Sequence, residues 1–406
     1  MASTSTPATD RATAAAAGAF PVGYHHLHPD VSMNFQMNRW YSWVGEAEML
    51  EEMRAAAPRI LSYADWKKEF LALAENAARN GHRLRAGYYW RSAEFFMAAG
   101  DPDRKAARRA FLEAIESVYG STIGDRHFVP YRDGAASGML PAWRFKAANP
   151  KCTIVWFGGF DSYLEEMIAT FLYLQAHGYD VIAFEGPGQG GALEEAGLPM
   201  TPHWQKPVAA VLDHFGVADV ALVGLSLGGC LVIRAAAFEP RVRYVVAYDI
   251  LSDFFDVNVR QLKPAIRLLA RMLVRTGAAP VVNAVMAKVA SGNPVAQWGV
   301  PHGMRVTGTQ SPFEYMKAIA SFRTADVSAQ VRQHVLLLAG SEDHYVPIEQ
   351  WHEQIRTLVH ARSVTARLFT SAEGAQNHCQ AGNYGLALRT IACWLDGMLQ
   401  QDAAAT

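Results

Sequence analysis

The sequence predicts an α/β fold: a mostly parallel sheet with helices on both faces, a helical N-terminal region and a helical cap insertion. Three observations carry this. Between residues 153 and 248, short apolar runs alternate with helical periodicity. One of those runs, 220–223, breaks at Gly224-Leu225-Ser226-Leu227-Gly228-Gly229 and passes into an Ala-rich segment. The alternation stops at 251, gives way to helical segments, and returns at 335. Strands that are apolar throughout are buried on both faces, and alternation with helices is how parallel strands are joined. Sheets of this kind bind their ligands at the carboxyl ends of the strands.

Residues 1–18 are mostly Ala, Ser and Thr and are expected to form a disordered tail. They lack the basic start and apolar stretch of a secretory leader, so a cytoplasmic location is expected. From 19 to 125 the pattern is helical. Apolar residues recur at three- and four-residue intervals over 64–74 and 83–99, and Gly81, Gly100 and Gly120 fall at segment ends. No fixed repeat runs through this region, which sets aside a helical-repeat array.

Strand patterns then begin at 127–131 and 140–145, joined by a turn at Asp133-Gly134. Runs 153–157, 180–184, 220–223 and 244–248 alternate with helical segments 163–176 and 204–215. The core is expected over 126–250 and 326–400. Between its halves lies the cap, 251–325, with helices near 264–276 and 281–290. Strands at 335–339 and 364–369 and a closing helix complete the sheet.

Composition excludes several function classes. With 37 basic against 38 acidic residues and a formal net charge of −1, nothing global draws the chain to nucleic acid or to a membrane surface. A small neutral or weakly charged molecule is the expected partner. A hydrophobic share of 50% rules out a mostly disordered chain, and no apolar run has the length of a membrane span. The four cysteines, Cys152, Cys230, Cys379 and Cys393, show neither C-x-x-C nor Cys/His ligand spacing. Neither disulfides nor a bound metal are expected, and no organic cofactor motif is present. The segment Glu185-Gly186-Pro187-Gly188-Gln189-Gly190 lacks the lysine and spacing of a phosphate loop.

The chemistry starts at Ser226. A serine on a tight strand-to-helix turn needs glycines two positions either side, and the turn lifts its Oγ above the sheet edge while the helix dipole favours an anion there. A nucleophile so placed needs a base and an acid later in the chain. His378 follows the last strand and is the candidate base. Asp343 lies just past the strand 335–339 and is the candidate acid, with Asp249, which follows the strand 244–248, as its competitor. The oxyanion donors are expected from the amide of Leu227 and from Phe160, or alternatively Gly159, in the Gly158-Gly159 loop.

Taken in order, the elbow, Phe157-Gly158-Gly159-Phe160-Asp161-Ser162, Glu185-Gly186-Pro187-Gly188-Gln189-Gly190, the late acid and Gly374-Ala375-Gln376-Asn377-His378-Cys379 resemble a known group. It is the α/β-hydrolases related to 2,6-dihydroxypseudooxynicotine hydrolase, the fungal polyketide-shortening hydrolases and the fermentation-respiration switch protein. The resemblance spans about 66–399. It implies a Ser-His-Asp serine hydrolase that cleaves a carbon-carbon bond next to a ketone in a β-diketone or acyl-aromatic, polyketide-like substrate. Its Val-Pro context after the acid favours Asp343 over Asp249. Ester cleavage or acyl transfer by the same residues stays open, as does a non-catalytic regulatory role like that of the switch protein. The resemblance also implies a homodimer.

Substrate contacts are expected from Tyr88 and Trp90, with Tyr89, Trp40, Tyr41 and Trp43 as further aromatic walls. At the entrance to the cap, Asp253 and Asp256 could each hydrogen-bond a substrate hydroxyl or carbonyl, or cap a helix.

Overall fold

A computed structural model describes residues 13–15 and 17–404 of the chain. Among the described residues eight strands are formed: β1 (Asp125–Asp133), β2 (Ala136–Phe145), β3 (Cys152–Phe157), β4 (Tyr179–Phe184), β5 (Val220–Leu225), β6 (Val242–Tyr248), β7 (His334–Gly340) and β8 (Ser363–Phe369). They lie in one sheet in the order β1-β2-β4-β3-β5-β6-β7-β8. The hairpin β1-β2 is antiparallel and joins β4 antiparallel, whereas every pairing from β4 to β8 is parallel. The α/β fold with a mostly parallel sheet is therefore present. Its central strands are buried along almost their whole length, which is why 220–223 and 335–339 read as unbroken apolar runs, while the buried Asp180 of β4 is paired with Arg144.

The order 4-3-5-6-7 brings the ends of β5, β6 and β7 side by side, with Val223 opposite Val246 and Val246 opposite Leu336. Residues 226, 249 and 343 leave the sheet from these adjacent ends, although 117 residues of chain separate the first from the last. Between β6 and β7 the chain forms five helices: Phe254–Val259, Pro264–Arg275, Ala279–Gly292, Pro294–Thr307 and Pro312–Ile319.

Ahead of the sheet lie helices Val31–Val44, Ala47–Ala56, Tyr63–Arg79, Arg83–Phe95 and Arg104–Tyr119. Asp30 and Ser62 accept the amides of Met33 and Asp65 and so cap the first and third of these. Of the expected tail, residues 1–12 and 16 lie outside the described residues. Residues 13–15 instead form a helical turn with Ala15 buried, and Phe20 packs edge-on against Tyr173, because apolar side chains there find the body of the protein. No helix among the described residues is long and apolar enough to cross a membrane.

A buried ionic clamp joins the N-terminal helices to the sheet. The carboxylate of Glu166 accepts from Arg39 Nη2 at 2.7 Å, from Arg91 Nε at 2.7 Å and from the Tyr163 amide at 3.0 Å. Arg39 also reaches Asp161 Oδ1 at 3.1 Å, and Arg91 donates to the Asp161 carbonyl at 2.6 Å. Breaking a buried pair by removing one partner costs about 3–5 kcal/mol, because the other charge stays desolvated. Glu166→Ala removes the shared carboxylate and leaves Arg39 with Asp161 and Arg91 with Glu94, so its unfolding free energy in urea should fall by about that amount. A loss below 1 kcal/mol, as for an exposed pair, would mean the clamp carries no load.

Candidate active site

Ser226 sits between β5 and the helix Leu227–Ala236 at φ 60° and ψ −120°. A non-glycine residue held there stores about 1–3 kcal/mol of strain. The flanking glycines make the turn possible: a Cβ at 224 would run into the Gly228 carbonyl, and one at 228 would come within 2.8 Å of the Gly158 oxygen. The Ser226 amide donates to the Tyr248 carbonyl at 2.7 Å, which ties the turn to β6.

Three of the residues singled out in the sequence meet here. Ser226 Oγ is 2.8 Å from His378 Nε2, and His378 Nδ1 is 2.5 Å from Asp343 Oδ2. A carboxylate can only accept, so Nδ1 carries the proton and Nε2 is left to accept from the serine hydroxyl. The other oxygen of Asp343 accepts from the amides of Tyr345 at 2.6 Å and Val346 at 2.9 Å. Burial opposes charge on both partners, but the attraction outweighs it. The His378 ring is held well above its ordinary value of 6.5, and the Asp343 carboxyl is held low. Asp249, the competing acid, stands further off, with Oδ2 3.9 Å from Nδ1.

The loop after β3 brings Gly159 against the elbow, where a Cβ would lie 2.9 Å from Ser226 Cβ and 3.1 Å from the Leu227 nitrogen. The Gly159 amide already donates to Ser162 Oγ at 3.2 Å. Among the described residues the amides of Phe160 and Leu227 have no acceptor. Gln189 fixes this loop: its Nε2 donates to the carbonyls of Gly158 at 2.6 Å and Gly159 at 2.9 Å, and its Oε1 accepts the Gly186 amide. The glycine-rich segment 185–190, set aside above as a phosphate loop, is thus the brace for the 158–160 loop.

The four expected substrate contacts fall elsewhere. Tyr88 is buried against Trp40 and Phe111, with its hydroxyl donated to the Glu166 carbonyl at 2.7 Å. Trp90 packs part-buried against the same core. The helix Arg83–Phe95 is buried on nearly every side, and Tyr88 and Trp90 line neither cavity described below, whereas Phe95 lines the smaller one. Asp253 caps the helix Phe254–Val259, accepting the Asp256 amide at 3.0 Å. Asp253 and Asp256 both hold Arg271, at 2.9 and 2.6 Å, which spends their carboxylates on a structural ion pair.

The large cavity lies between the N-terminal helices and the cap. Its volume is about 890 Å³, and its walls include Leu27, Met33, Ile60, Phe96, Trp298 and His302. Ser226 is not in its lining. A smaller cavity of about 30 Å³ shares Trp298 and His302 with it and runs along Phe160, Asp161 and Ser162, next to the elbow. His302 stacks on Trp298 and meets the Phe160 ring edge-on at 5.3 Å, so one cap histidine borders both spaces. Phe35 meets the rings of His344, Tyr345 and His378 and forms a wall of the site itself. Its helix is buried around most of its circumference, and no periodicity marks which face meets the site.

Among the described residues one trio of potential ligand atoms, on Asp249, His378 and Cys379, lies within 4.8 Å. Its atoms are engaged: His378 Nδ1 by Asp343, His378 Nε2 by Ser226, and Asp249 by the Cys379 amide and Gln380. These residues do not make a cation cradle.

A strained serine on a strand-to-helix turn, in a mostly parallel sheet with these connections, defines the alpha/beta hydrolase class, and the model of the alpha/beta hydrolase family matches residues 154–368. The chain belongs to this family. Hydrolase acrC of Aspergillus aculeatus is 28% identical over 81% of this chain and 83% of its own length. The 20-hydroxy-prefusarin hydrolase FUS2 of Gibberella moniliformis is 29% identical over 64% of this chain and 67% of its own. The crystal structure of 2,6-dihydroxy-pseudo-oxynicotine hydrolase superposes with a TM-score of 0.57 at 21% identity, covering 88% of this chain and 94% of that one, and shares the fold.

Replacing Gly159 tests how tightly the loop and elbow are packed. A methyl group there must push against Leu225 O at 2.8 Å and against Ser226 itself. Displacements near 1 Å at a reacting centre cost about 100-fold in rate. Gly159→Ala should therefore lose about that factor in turnover or serine-probe labelling while its thermal melt stays cooperative. Unchanged labelling would show that the loop yields freely.

Proposed function

We propose that the protein is a serine hydrolase in which Ser226 is the nucleophile, His378 the general base and Asp343 the acid that orients it. The observation that carries this reading is the unbroken relay of 2.8 and 2.5 Å from hydroxyl to imidazole to carboxylate. His378 takes the Ser226 proton as Oγ attacks a carbonyl carbon, and Asp343 favours the imidazolium that results. The oxyanion is met by the free amides of Phe160 and Leu227 at the head of the helix Leu227–Ala236. His378 then gives its proton to the departing group, and water releases the acyl-enzyme.

The proposed substrate is an aromatic or polyketide-like ketone, cleaved at the carbon-carbon bond beside its carbonyl. An apolar cavity of about 890 Å³ between the N-terminal helices and the segment 294–305 suits a large cyclic group. One relative is named a 20-hydroxy-prefusarin hydrolase, which supports hydrolysis of a small organic substrate. Carbon-carbon cleavage needs a leaving group that is a stabilised carbanion, as a β-diketone or acyl-phenol provides. We place the enzyme in the cytoplasm as a homodimer, the assembly being read by light scattering on the purified chain.

A fluorophosphonate probe should label the wild-type chain at Ser226, and Ser226→Ala should abolish the label. Mass spectrometry of products from a panel of acyl-phenol ketones and aryl esters then separates the two bond types. Turnover of esters alone would overturn the carbon-carbon reading.

The pH dependence follows from the imidazole. Only neutral His378 can act as base, and its ring is held well above 6.5 by Asp343. The rate should therefore fall as pH drops through a midpoint on the alkaline side of 6.5. A midpoint below that would show that Asp343 does not stabilise the imidazolium in solution.

A further inference from the structure

Two carboxylates, not one, face the Nδ1 side of His378. Asp343 Oδ2 stands at 2.5 Å and Asp249 Oδ2 at 3.9 Å. They leave the ends of the adjacent strands β7 and β6, so the register of the sheet forces them together. Asp249 is 1% exposed. Its Oδ2 accepts the Cys379 amide at 2.9 Å, and its Oδ1 accepts Gln380 Nε2 at 3.2 Å. Both donors belong to the turn directly after His378, where Cys379 and Gln380 hold φ of 50° and 52°.

The anchor for that turn uses both oxygens as acceptors, one for the Cys379 amide and one for Gln380 Nε2, whereas an asparagine would offer a single acceptor oxygen. A carboxyl group at this place also meets Asp343, a like charge that it must tolerate. The groups facing it are Asp343 from the loop after β7, His378 and Cys379 from the loop after β8, and the Tyr248 phenol beside it in the chain. Its ion-pair partner among the described residues is His378. Burial and the charge on Asp343 push the Asp249 carboxyl up to about 7, so it changes charge in the range where His378 works.

We propose that Asp249 is a second acid for His378: a positioning residue that fixes the 378–380 turn and, when ionised, adds its charge to the field that Asp343 exerts on the imidazolium. This rests on the reading of Ser226, His378 and Asp343 as the catalytic relay. Asp249 acts through His378 and touches no substrate. With Asp343 neutralised, the repulsion on Asp249 disappears and its carboxylate becomes the remaining negative partner of the ring.

The test is the rate at which a fluorophosphonate labels Ser226 in the full chain between pH 5 and 10, for the wild type, Asp249→Asn, Asp343→Asn and the double variant. A nearby charge moves an imidazole by about one pH unit, so the acid limb of Asp249→Asn should shift down by about that amount. Above pH 8, Asp343→Asn should label about ten times faster than the double variant, the size of coupling usual between contacting residues. An Asp249→Asn limb that coincides with the wild type, or Asp343→Asn no faster than the double variant, overturns the proposal. If Asp249→Asn does not fold, Asp343→Asn alone decides. A limb above 6.5 marks a remaining carboxylate on the ring, whereas a limb below 6.5 marks a desolvated histidine with no acid and overturns the idea. No label on the wild-type chain overturns the relay itself, and this inference with it. A wild type labelled at Ser226 with no dependence on Asp249 sinks the inference alone.

Discussion

The interaction on which the rest of the structure depends is the sharing of one buried carboxylate, Glu166, by Arg39 and Arg91. Each arginine lies on a different N-terminal helix, and each also grips Asp161, one residue beyond Phe160. The helices that precede the sheet therefore do more than cover it. They hold the loop whose backbone approaches Ser226, and one of them carries Phe35 to the rim of His378. Planar guanidinium groups that donate in several directions can satisfy a carboxylate and a main-chain carbonyl together, which is why arginine and not lysine suits this place. A buried pair of this kind contributes little net stability over an apolar contact of the same shape, but it admits one geometry and penalises others.

A second constraint is steric. At the elbow the backbone of 224, 228 and 159 is packed so closely that a methyl group at any of the three would strike a neighbouring main chain. Gln189 then takes the carbonyls of Gly158 and Gly159, and Ser162 takes the Gly159 amide. With these groups spent, the Phe160 amide is left without an acceptor among the described residues. Preorganisation of this sort matters because donors that need not reorient are worth more in a site shut off from water.

Much of this was legible in the sequence, and the reason differs by element. The strands were readable because parallel pairing buries both faces, so that 220–223 and 335–339 are apolar without interruption. Ser226, Asp343 and His378 were readable because a strained turn and strand ends restrict which residues can stand there. Side-chain partners across the fold left no such mark. Tyr88 and Trp90 looked like walls, yet a helix buried on most sides turns its aromatics inward. For Asp253 and Asp256 a substrate contact and a helix cap were both open; Asp253 takes the cap, and the pairing of both with Arg271 was hidden because that arginine lies a helix further on. The role of Gln189 was hidden because it is a bond to backbone 30 residues away, invisible to any local pattern.

The segment between β6 and β7 lies outside the sheet register that brings Ser226, His378 and Asp343 together. Residues 249–333 connect β6 and β7, yet those strands still pair, Val245 opposite Val335. The closure entropy of a connection grows only logarithmically, about 0.6 kcal/mol for each doubling of length, so such an insertion barely taxes the sheet. The relay depends on strand register and on short bonds to the backbone, none of which runs through the cap. The walls of the large cavity come from the cap and the N-terminal helices instead, through Trp298 and His302 on one side and Met33 and Phe96 on the other. The contacts among Ser226, His378 and Asp343 and the walls of the large cavity thus come from separate stretches of chain.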